Sequence, residues 1–375
     1  MLPRRQAAQQ RDPPIRIGHS ISETALDPDL LHRQHMKKIV CLLLTLLLST
    51  GCRTPQRPAN PKTNAKAKVI LAYFQNLEGR TNKCVLSGQF SNFGAGANLR
   101  LVNEIHDKTG HWPAILGVDY AGGGGITHVA PNRAAIEYWQ QGGLVTVSAH
   151  LYNPARTNAD GGGLRDKGVA LDALLDGRSE THVRWLHEMD RVAEGLQELK
   201  AAGVVVLWRP FHEMNGGWFW WGGKDPATFI KLWRQMFDYF TKTKGLDNLL
   251  WVYAPNQGDK AAAYYPGDAY ADLVGLDAYT DFVDTNHIKG YAGMAQIKKP
   301  FGFAEFGPHG PSDPPGDYDY LRFIQGVQTN FPGTVFFMSW NAKWSLARNT
   351  NTTELLNHPR IVNQEDLPRG LAGKP

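Results

Sequence analysis

Two glutamates are the residues with the clearest chemical potential. The first, Glu213, lies among aromatic side chains in Trp208–Gly222, WRPFHEMNGGWFWWG. A carboxyl group beside indole rings loses hydration, which favours its protonated form, and a nearby carboxylate favours that form further. Such a group could act as a general acid near neutral pH. A buried structural glutamate paired with Arg209 would also explain this stretch, so the segment alone leaves both interpretations open.

The second glutamate, Glu305, ends an apolar run. It is the only charged residue of Phe301–Gly307, FGFAEFG, so its carboxylate is expected to project into a cavity at the end of a strand. A glutamate that only bonds a neighbour at the mouth of the core would leave the same pattern. The two glutamates are about 90 positions apart, which is close to three strand–helix units of roughly 30 residues each.

The elements that must position these residues follow an α/β pattern. From about residue 66 the chain alternates short β-rich runs with amphipathic stretches, as parallel α/β proteins do. Eight runs are candidate strands: Cys84–Gln89, Ala114–Asp119, Leu144–His150, Val204–Arg209, Leu249–Tyr253, Leu273–Asp277, Phe301–Glu305 and Thr334–Trp340. Eight strands close a barrel, so we predict a single catalytic domain over 66–375 with the (β/α)8 TIM barrel fold. An open doubly wound sheet is the alternative, disfavoured because no Gly-rich phosphate loop follows the first strand.

Three helices are predicted in detail. The stretch 226–243 has Asp225 as a possible cap, Pro226 at the first helical position, and large apolar residues at helical spacing. The stretch 179–200 shows the same periodicity, and a further helix at 66–78 is expected to cover the bottom of the barrel.

Polar and aromatic residues gather at the carboxyl ends of the predicted strands. They are Gln89, Asp119, His150, Arg209, Tyr253, Asp277, Tyr279, Glu305 and Trp340. In a barrel these ends form the face that carries the active site. Glu213 and Glu305 then belong to the fourth and seventh strands, which face each other across the mouth. Facing carboxyl groups suit glycoside hydrolysis, in which a retaining enzyme needs them about 5–5.5 Å apart.

The chain resembles glycoside hydrolase family 26 over roughly residues 66–362. The resemblance rests on the motif R-P-x-H-E-M-N-G-x-W-F-W-W-G, matched at 209–222, and on the glutamate that ends the seventh strand. It implies a (β/α)8 barrel with Glu213 as the acid/base (proton donor) and Glu305 as the nucleophile. The implied activity is that of a mannan endo-1,4-β-mannosidase, which cleaves mannan, galactomannan or glucomannan by retaining double displacement.

The resemblance also implies substrate-binding residues near the two glutamates. His212 would orient the site or bind sugar at the cleavage point, and Trp218 would pack against bound sugar. Tyr279 resembles a tyrosine that hydrogen-bonds the nucleophile, and Asp277 resembles a polar member of the same group. Asp277 could instead simply bond the backbone.

Two further residues are implied to contact the sugar bound on the non-reducing side of the cleavage point. His150 matches a histidine near this sugar, and Trp340 matches a tryptophan that forms the floor beneath it. The alternatives are a core histidine and a tryptophan that only packs. Arg209 is expected to hold a carboxylate and not to contact substrate. His150 and His212 lie on different strands without an HExxH-type pair, so we expect neither a metal nor another cofactor.

Composition narrows the classes of function. Hydrophobic residues make up 42% of the 375 residues, enough for a large core. The formal charge of +5 is concentrated before residue 68, and no basic stripe or zinc spacing indicates nucleic-acid binding. Cys84 is the only cysteine after the N-terminal segments, which excludes a disulfide framework in the domain. We expect a monomer whose partner is a β-mannan-type polysaccharide or oligosaccharide.

The N-terminus has the pattern of an export signal. Met36-Lys37-Lys38 precedes an apolar run and the pair Gly51-Cys52, so 36–52 resembles a bacterial lipoprotein signal with lipidation at Cys52. An ordinary secretory signal is the alternative. Residues 1–35 are predicted to be untranslated or disordered, and 53–65 to form a flexible tether. We therefore expect an exported protein anchored in the cell envelope through Cys52, or else a periplasmic or extracellular one.

Alternatives of function remain open at this point. The same family includes enzymes that cut mixed-linkage β-1,3-1,4-glucan or β-1,3-xylan, and the long connection at about 151–178 is the expected determinant of that choice. A transglycosylase would share every catalytic residue. A non-catalytic glycan-binding lipoprotein would be expected to lack one carboxylate, and both Glu213 and Glu305 are present.

Overall fold

The computed structural model describes residues 56–121, 127–156, 160–310 and 316–373. The predicted segments 1–35 and 36–52, with Cys52, lie outside the described residues. The strands are Val85–Leu86 (β1), Gly88–Phe93 (β2), Ile115–Asp119 (β3), Leu144–Ser148 (β4), Val206–Arg209 (β5), Leu249–Tyr253 (β6), Leu273–Tyr279 (β7), Phe301–Gly307 (β8), Thr334–Ser339 (β9) and Ile361–Val362 (β10).

These strands close into a barrel. Every neighbouring pair is parallel, from β2 through β8, and β9 joins β8 to both β1 and β2. Together β1 and β2 serve as the first of eight barrel strands, broken at Ser87, whose hydroxyl contacts Asn363 and the Val362 carbonyl. The predicted (β/α)8 barrel is therefore confirmed, and the open sheet is excluded because Gln89 pairs with Ser339 across the seam.

Helices of the described chain lie between the strands. They are Ala65–Leu77 (α1), Arg100–Thr109 (α2), Val129–Gln140 (α3), Leu171–Leu175 (α4), Glu180–Ala201 (α5), Pro226–Asp238 (α6), Tyr291–Met294 (α7), Tyr320–Asn330 (α8) and Thr352–Leu356 (α9). The Asp225 carboxylate caps α6 by accepting from the Thr228 N–H at 2.8 Å, as the sequence predicts. The predicted helix 226–243 ends in a π-helical turn, Tyr239–Thr243.

The first described residues pack against the bottom of the barrel. The Ala59 N–H donates to the buried Asp272 carboxylate at 2.7 Å, and the Asn64 N–H donates to the Asp247 carbonyl at 2.8 Å. Asp272 directly precedes β7 and Asp247 lies two positions before β6, so this segment lies at the amino ends of the strands. Residues 56–64 thus differ from the predicted flexible tether, because hydrogen bonds to the barrel fix their backbone. Among the described helices, none combines the length and apolar character needed to cross a membrane.

Tryptophan is used chiefly to build the core. Six of the eleven are fully buried: Trp185, Trp208, Trp220, Trp221, Trp233 and Trp251. They pack with phenylalanines between strands β5 and β6 and the helices outside them. Phe237 and Trp251, for example, have ring centroids 4.9 Å apart. Large buried rings of this kind contribute most of the packing energy of a core. The high tryptophan count therefore reflects the core more than a sugar-binding cleft.

Candidate active site

An open cleft lies over the carboxyl ends of the barrel strands, where the sequence predicts it. Its volume is about 550 Å³. The residues that line it are His150, Arg165, His212, Glu213, Trp218, Phe219, Asn256, Gln257, Tyr279, Glu305, Trp340 and Trp344. Seven of the nine residues predicted to act in catalysis, substrate binding or carboxylate support are among them, and the two that are not, Arg209 and Asp277, lie directly beneath.

A tight turn after β5 aims Glu213 into the cleft. Phe211 and Glu213 both adopt positive φ, 50° and 56°, which is uncommon for residues other than glycine and is retained where the surroundings fix it. The Glu213 N–H donates to the Ala254 carbonyl at 2.8 Å, and its own carbonyl accepts from the Gly216 N–H at 2.8 Å. These bonds hold the turn across the gap between β5 and β6.

The surroundings of Glu213 favour its protonated form. Its side chain is 9% exposed, and burial, followed by repulsion from Glu305, raises the pKa of Glu213 to about 7. The Trp218 indole N–H donates to the carboxyl group at 2.6 Å and opposes this rise. A Cβ at Gly216 would lie 2.5 Å from the Trp218 ring, so a residue without a side chain lets the indole fold back over Glu213.

Glu305 has the opposite surroundings. Its Oε1 accepts from the Arg209 guanidinium at 2.5 Å, and its Oε2 accepts from the Tyr279 hydroxyl at 2.7 Å. Arg209 is itself buried and bridges Glu305 to Asp277, whose Oδ2 accepts at 2.9 Å. A cation and a hydroxyl donor on its two oxygens stabilise the ionised carboxylate of Glu305. The predicted contacts of Arg209 and Tyr279 with a carboxylate are thus present.

The two glutamates are close enough for a retaining mechanism. One carboxylate oxygen from each of Glu213, Asp277 and Glu305 lies within 4.8 Å of the others. Oxygens this close fit a retaining glycosidase, whose two carboxyl groups lie roughly 5–5.5 Å apart, better than an inverting one, whose carboxyl groups lie about 6.5–9.5 Å apart. Arg209 already donates to both Asp277 and Glu305, so these two carboxylates have a protein cation as their partner.

Asp277 is placed differently from the other predicted substrate-binding residues. Its carboxylate is fully buried behind Glu305 and does not line the cleft. Burial raises the pKa of Asp277 well above its usual value, Arg209 opposes the rise, and Glu305 and Glu213 add to it. Its side chain therefore bonds Arg209 beneath the cleft instead of lining it.

Two imidazoles lie side by side in the cleft, with ring centroids 4.6 Å apart. His150 Nδ1 bonds the Asp119 carboxylate at 3.0 Å. Burial alone would lower the pKa of His150, but the Asp119 carboxylate outweighs it and raises that pKa. Burial, Arg209 and His150 together lower the pKa of His212 well below its usual value. The surroundings therefore shift the pKa values of these two neighbouring imidazoles in opposite directions.

The aromatic walls are formed by residues from both ends of the barrel sequence. Trp340, directly after β9, packs on Phe90 at 4.8 Å and Phe93 at 5.6 Å between ring centroids. Its partly buried indole lines the cleft. Trp218 lines the opposite part, whereas Trp220 and Trp221 of the same motif are buried.

Sequence reasoning missed several cleft residues. Asn256 and Gln257 follow β6 and Trp344 lies four positions after Trp340, so proximity to a strand end could have indicated all three. Arg165 lies on the long connection after β4 and has no such signal. In contrast, Tyr253 and Gln89, which the sequence analysis placed at strand ends, are buried and bond backbone groups.

Comparison with known proteins settles the family. The profile described as Glycosyl hydrolase family 26 matches residues 59–366. The chain belongs to glycoside hydrolase family 26. The family predicted from the sequence motif is therefore confirmed.

Relatives and solved structures of this family are similar over most of the chain. A mannan endo-1,4-beta-mannosidase of Bacillus subtilis is 35% identical over 361 residues, 89% of this chain and 98% of the relative. The Caldalkalibacillus mannanilyticus protein named mannan endo-1,4-beta-mannosidase A and B is 36% identical over 328 residues, and the chain covers 63% of its length. The structure of the Bacillus subtilis mannanase BCman superimposes with a TM-score of 0.79 at 34% identity, covering 86% of this chain and 99% of that one.

Proposed function

We propose that this family 26 enzyme is a mannan endo-1,4-β-mannosidase that cleaves β-1,4-mannosidic linkages with retention of configuration. The observation that carries the proposal is the pair Glu213 and Glu305, whose carboxyl oxygens lie within 4.8 Å in opposite electrostatic surroundings. The names of the Bacillus subtilis and Caldalkalibacillus mannanilyticus relatives support mannan as the substrate.

In the first step Glu305 is the nucleophile. Its carboxylate oxygen forms a bond to the anomeric carbon while the bond from that carbon to the leaving oxygen breaks. Glu213 transfers its proton to the leaving oxygen, which departs as the hydroxyl of the shortened chain. A pKa of about 7 for Glu213 leaves it protonated at mildly acidic pH.

In the second step Glu213 is the base. Once Glu305 is esterified it has no charge, so the repulsion that helps keep the proton on Glu213 is gone. Glu213 then accepts a proton from water, the water oxygen attacks the anomeric carbon, and Glu305 leaves as a carboxylate. Arg209 and Tyr279 are already in place to stabilise that carboxylate.

The remaining cleft residues suit sugar binding. Trp340 offers a half-exposed indole as a floor beneath the reacting sugar, and Trp218 offers another beside Glu213. His150 and His212 provide imidazoles near both glutamates. We further propose that the enzyme acts as a monomer, since all these groups come from one chain; light scattering on the eluted protein would test this.

Product analysis on three polysaccharides tests the proposed function. Mannan, lichenan and β-1,3-xylan are incubated with the enzyme, products are separated by size, and the anomeric form released first is followed by NMR. We expect mixed short oligosaccharides from mannan, released as the β-anomer. Cleavage of lichenan or β-1,3-xylan in preference to mannan would overturn the substrate, and early release of the α-anomer would overturn retention. Longer chains formed at the expense of hydrolysis would indicate a transglycosylase.

We also propose that the enzyme is exported and anchored through a lipid on Cys52. The support is the sequence alone, namely Met36-Lys37-Lys38, the apolar run and Gly51-Cys52. More than one acyl chain is needed for firm attachment, which bacterial lipoproteins supply. Cys52→Ser should move the enzyme from the detergent phase to the soluble fraction in a host that processes lipoproteins. A wild-type protein that is soluble and carries no lipid in that host would refute the anchor.

A further inference from the structure

Asp119 forms a buried carboxylate site directly behind His150. Its Oδ2 accepts from His150 Nδ1 at 3.0 Å and from the Ser148 hydroxyl at 2.5 Å. Its Oδ1 accepts from the Ala121 N–H at 2.7 Å and from the His150 N–H at 3.2 Å. Four donors on two oxygens hold the carboxylate charged and fixed. Asp119 does not line the cleft, so it can act on substrate only through His150.

The His150 ring is held on several sides. Its centroid lies 5.4 Å from that of Phe93, 5.3 Å from that of Phe219 and 4.6 Å from that of His212. Because Nδ1 is bonded to Asp119, Nε2 is the ring nitrogen left to meet a ligand in the cleft. Ring packing and the Asp119 bond therefore fix the direction of the His150 ring and aim Nε2 away from Asp119.

Among the two cleft histidines, His150 has a carboxylate partner, Asp119, and other charged groups surround its ring. The charged and titratable groups that face the ring are Asp119 on β3, Arg209 on β5, His212 and Glu213 after β5, and Glu305 on β8. Burial raises the pKa of Asp119 on its own, yet His150, Ser148 and Ala121 bring it down to about 2. His212 Nδ1 has no hydrogen-bond partner in the described chain, and burial with the nearby Arg209 and His150 lowers the pKa of His212.

We propose that Asp119 is a positioning residue that keeps His150 as an imidazolium whose Nε2–H donates to a hydroxyl of the sugar at the cleavage point. This inference rests on the proposed function and extends it. A charged donor makes a stronger hydrogen bond than a neutral one. The reacting sugar develops positive charge in its transition state, which a lone imidazolium would oppose. Asp119 cancels that charge, so the site gains a strong donor without net positive charge.

The variant Asp119→Asn tests the role. It keeps an acceptor for His150 Nδ1 and removes the charge, so burial should leave His150 neutral near neutral pH. We expect kcat/KM on mannan to fall about ten- to hundredfold at about pH 7, the range of a lost hydrogen bond from a charged group. The ratio of variant to wild-type activity should rise as the pH is lowered from about 8 to about 5, because acid restores the imidazolium.

Three controls separate positioning from folding. In the His150→Ala background, Asp119→Asn should cost little further activity, because its route to substrate is gone. Ser148→Ala removes one donor from the same carboxylate and should give a smaller loss in the same direction. Asp284→Asn makes the same change in the Asp284–His287 pair, 2.9 Å apart near the surface, and should leave activity unchanged.

NMR of labelled histidine provides a readout independent of turnover. The His150 signal, assigned with His150→Ala, should report an imidazolium in the wild type near neutral pH and a neutral ring in Asp119→Asn. The inference would be overturned if Asp119→Asn lowered kcat/KM by the same factor at every pH and also in the His150→Ala background. A neutral His150 ring in the wild type would overturn it as well. A wild type inactive on mannan would instead overturn the proposed function, and the NMR result would stand apart from it.

Discussion

The two glutamates are the same kind of group in different surroundings. Glu305 ends β8, and its two oxygens accept from a guanidinium and a hydroxyl. Glu213 lies on a turn after β5, nearly buried, with one indole N–H as its donor. One oxygen of each lies within 4.8 Å of the other, so the charge of Glu305 acts on Glu213. The comparison shows that two chemically identical carboxyl groups differ here because different strand ends supply their hydrogen-bond donors.

Removing Glu305 should have the largest effect. Glu305→Ala deletes the proposed nucleophile, and the nearby Asp277 is fully buried and bonded to Arg209. We expect kcat on any glycoside to fall by more than about 10⁴-fold. The measurement is turnover of mannan and of an aryl mannoside, with exposed Glu354→Ala as the matched control. Retained turnover in Glu305→Ala would show that Glu305 is not the nucleophile.

Removing Glu213 should give a loss that depends on the leaving group. Glu213→Ala deletes the acid, so cleavage of mannan should fall about 10²–10⁴-fold, while aryl glycosides that need little acid assistance should retain the first step. Azide should restore turnover of the aryl substrate and give a glycosyl azide of retained configuration. Equal losses on both substrates, with no rescue, would show that Glu213 is not the acid/base.

Removing the Tyr279 hydroxyl should lower activity without abolishing it, because Glu305 keeps its bond from Arg209. Tyr279→Phe deletes the donor to Glu305 Oε2 and leaves Arg209 on Oε1. A hydrogen bond to a charged group contributes about 1.5–3 kcal/mol, so kcat/KM should fall about ten- to hundredfold. Steady-state kinetics on mannan would measure it. Unchanged kcat/KM would mean that Arg209 alone suffices for Glu305.

Changing Trp218 should have the smallest effect on chemistry and a defined direction on pH. Its indole N–H lowers the pKa of Glu213, so Trp218→Phe removes that effect and should raise this pKa further. The basic limb of activity should therefore move to higher pH, by less than about one unit. The pH dependence of kcat/KM on mannan, whose leaving group needs the proton, would show it. A shift to lower pH would mean that the indole acts on Glu213 mainly by excluding water.

Much of this site was predictable because polar residues end apolar runs. That signal located Glu305 at the end of β8, and the arginine in the β5 motif indicated a partner for a carboxylate. The burial of Asp277 was not predictable, because it depends on Arg209 reaching across from another strand. The pairing of Asp119 with His150 is likewise a contact between β3 and the end of β4 that no periodicity encodes.

The same limit holds for the fold. Eight β-rich runs alternating with amphipathic stretches predicted the closed barrel, and their bounds agree with the strands to within a few residues. The break at Ser87 and the extension of β2 to Phe93 depend on the pairing with β9 and β3, which arises only once the barrel closes. Residues 56–64 have the composition of a tether, yet Asp272 and Asp247 at the barrel bottom hold them.

The central claim is that Glu213 holds the proton that the reaction needs. The most direct test is kcat/KM against pH for the wild type on mannan, which needs acid assistance, and for Glu213→Ala on an activated aryl mannoside, which needs little. With the pKa of Glu213 at about 7, the wild type should lose activity as the pH rises through that value, because the acid is then deprotonated. The variant should lack this basic limb. A basic limb that persists unchanged in Glu213→Ala would contradict the assignment of the two carboxyl groups.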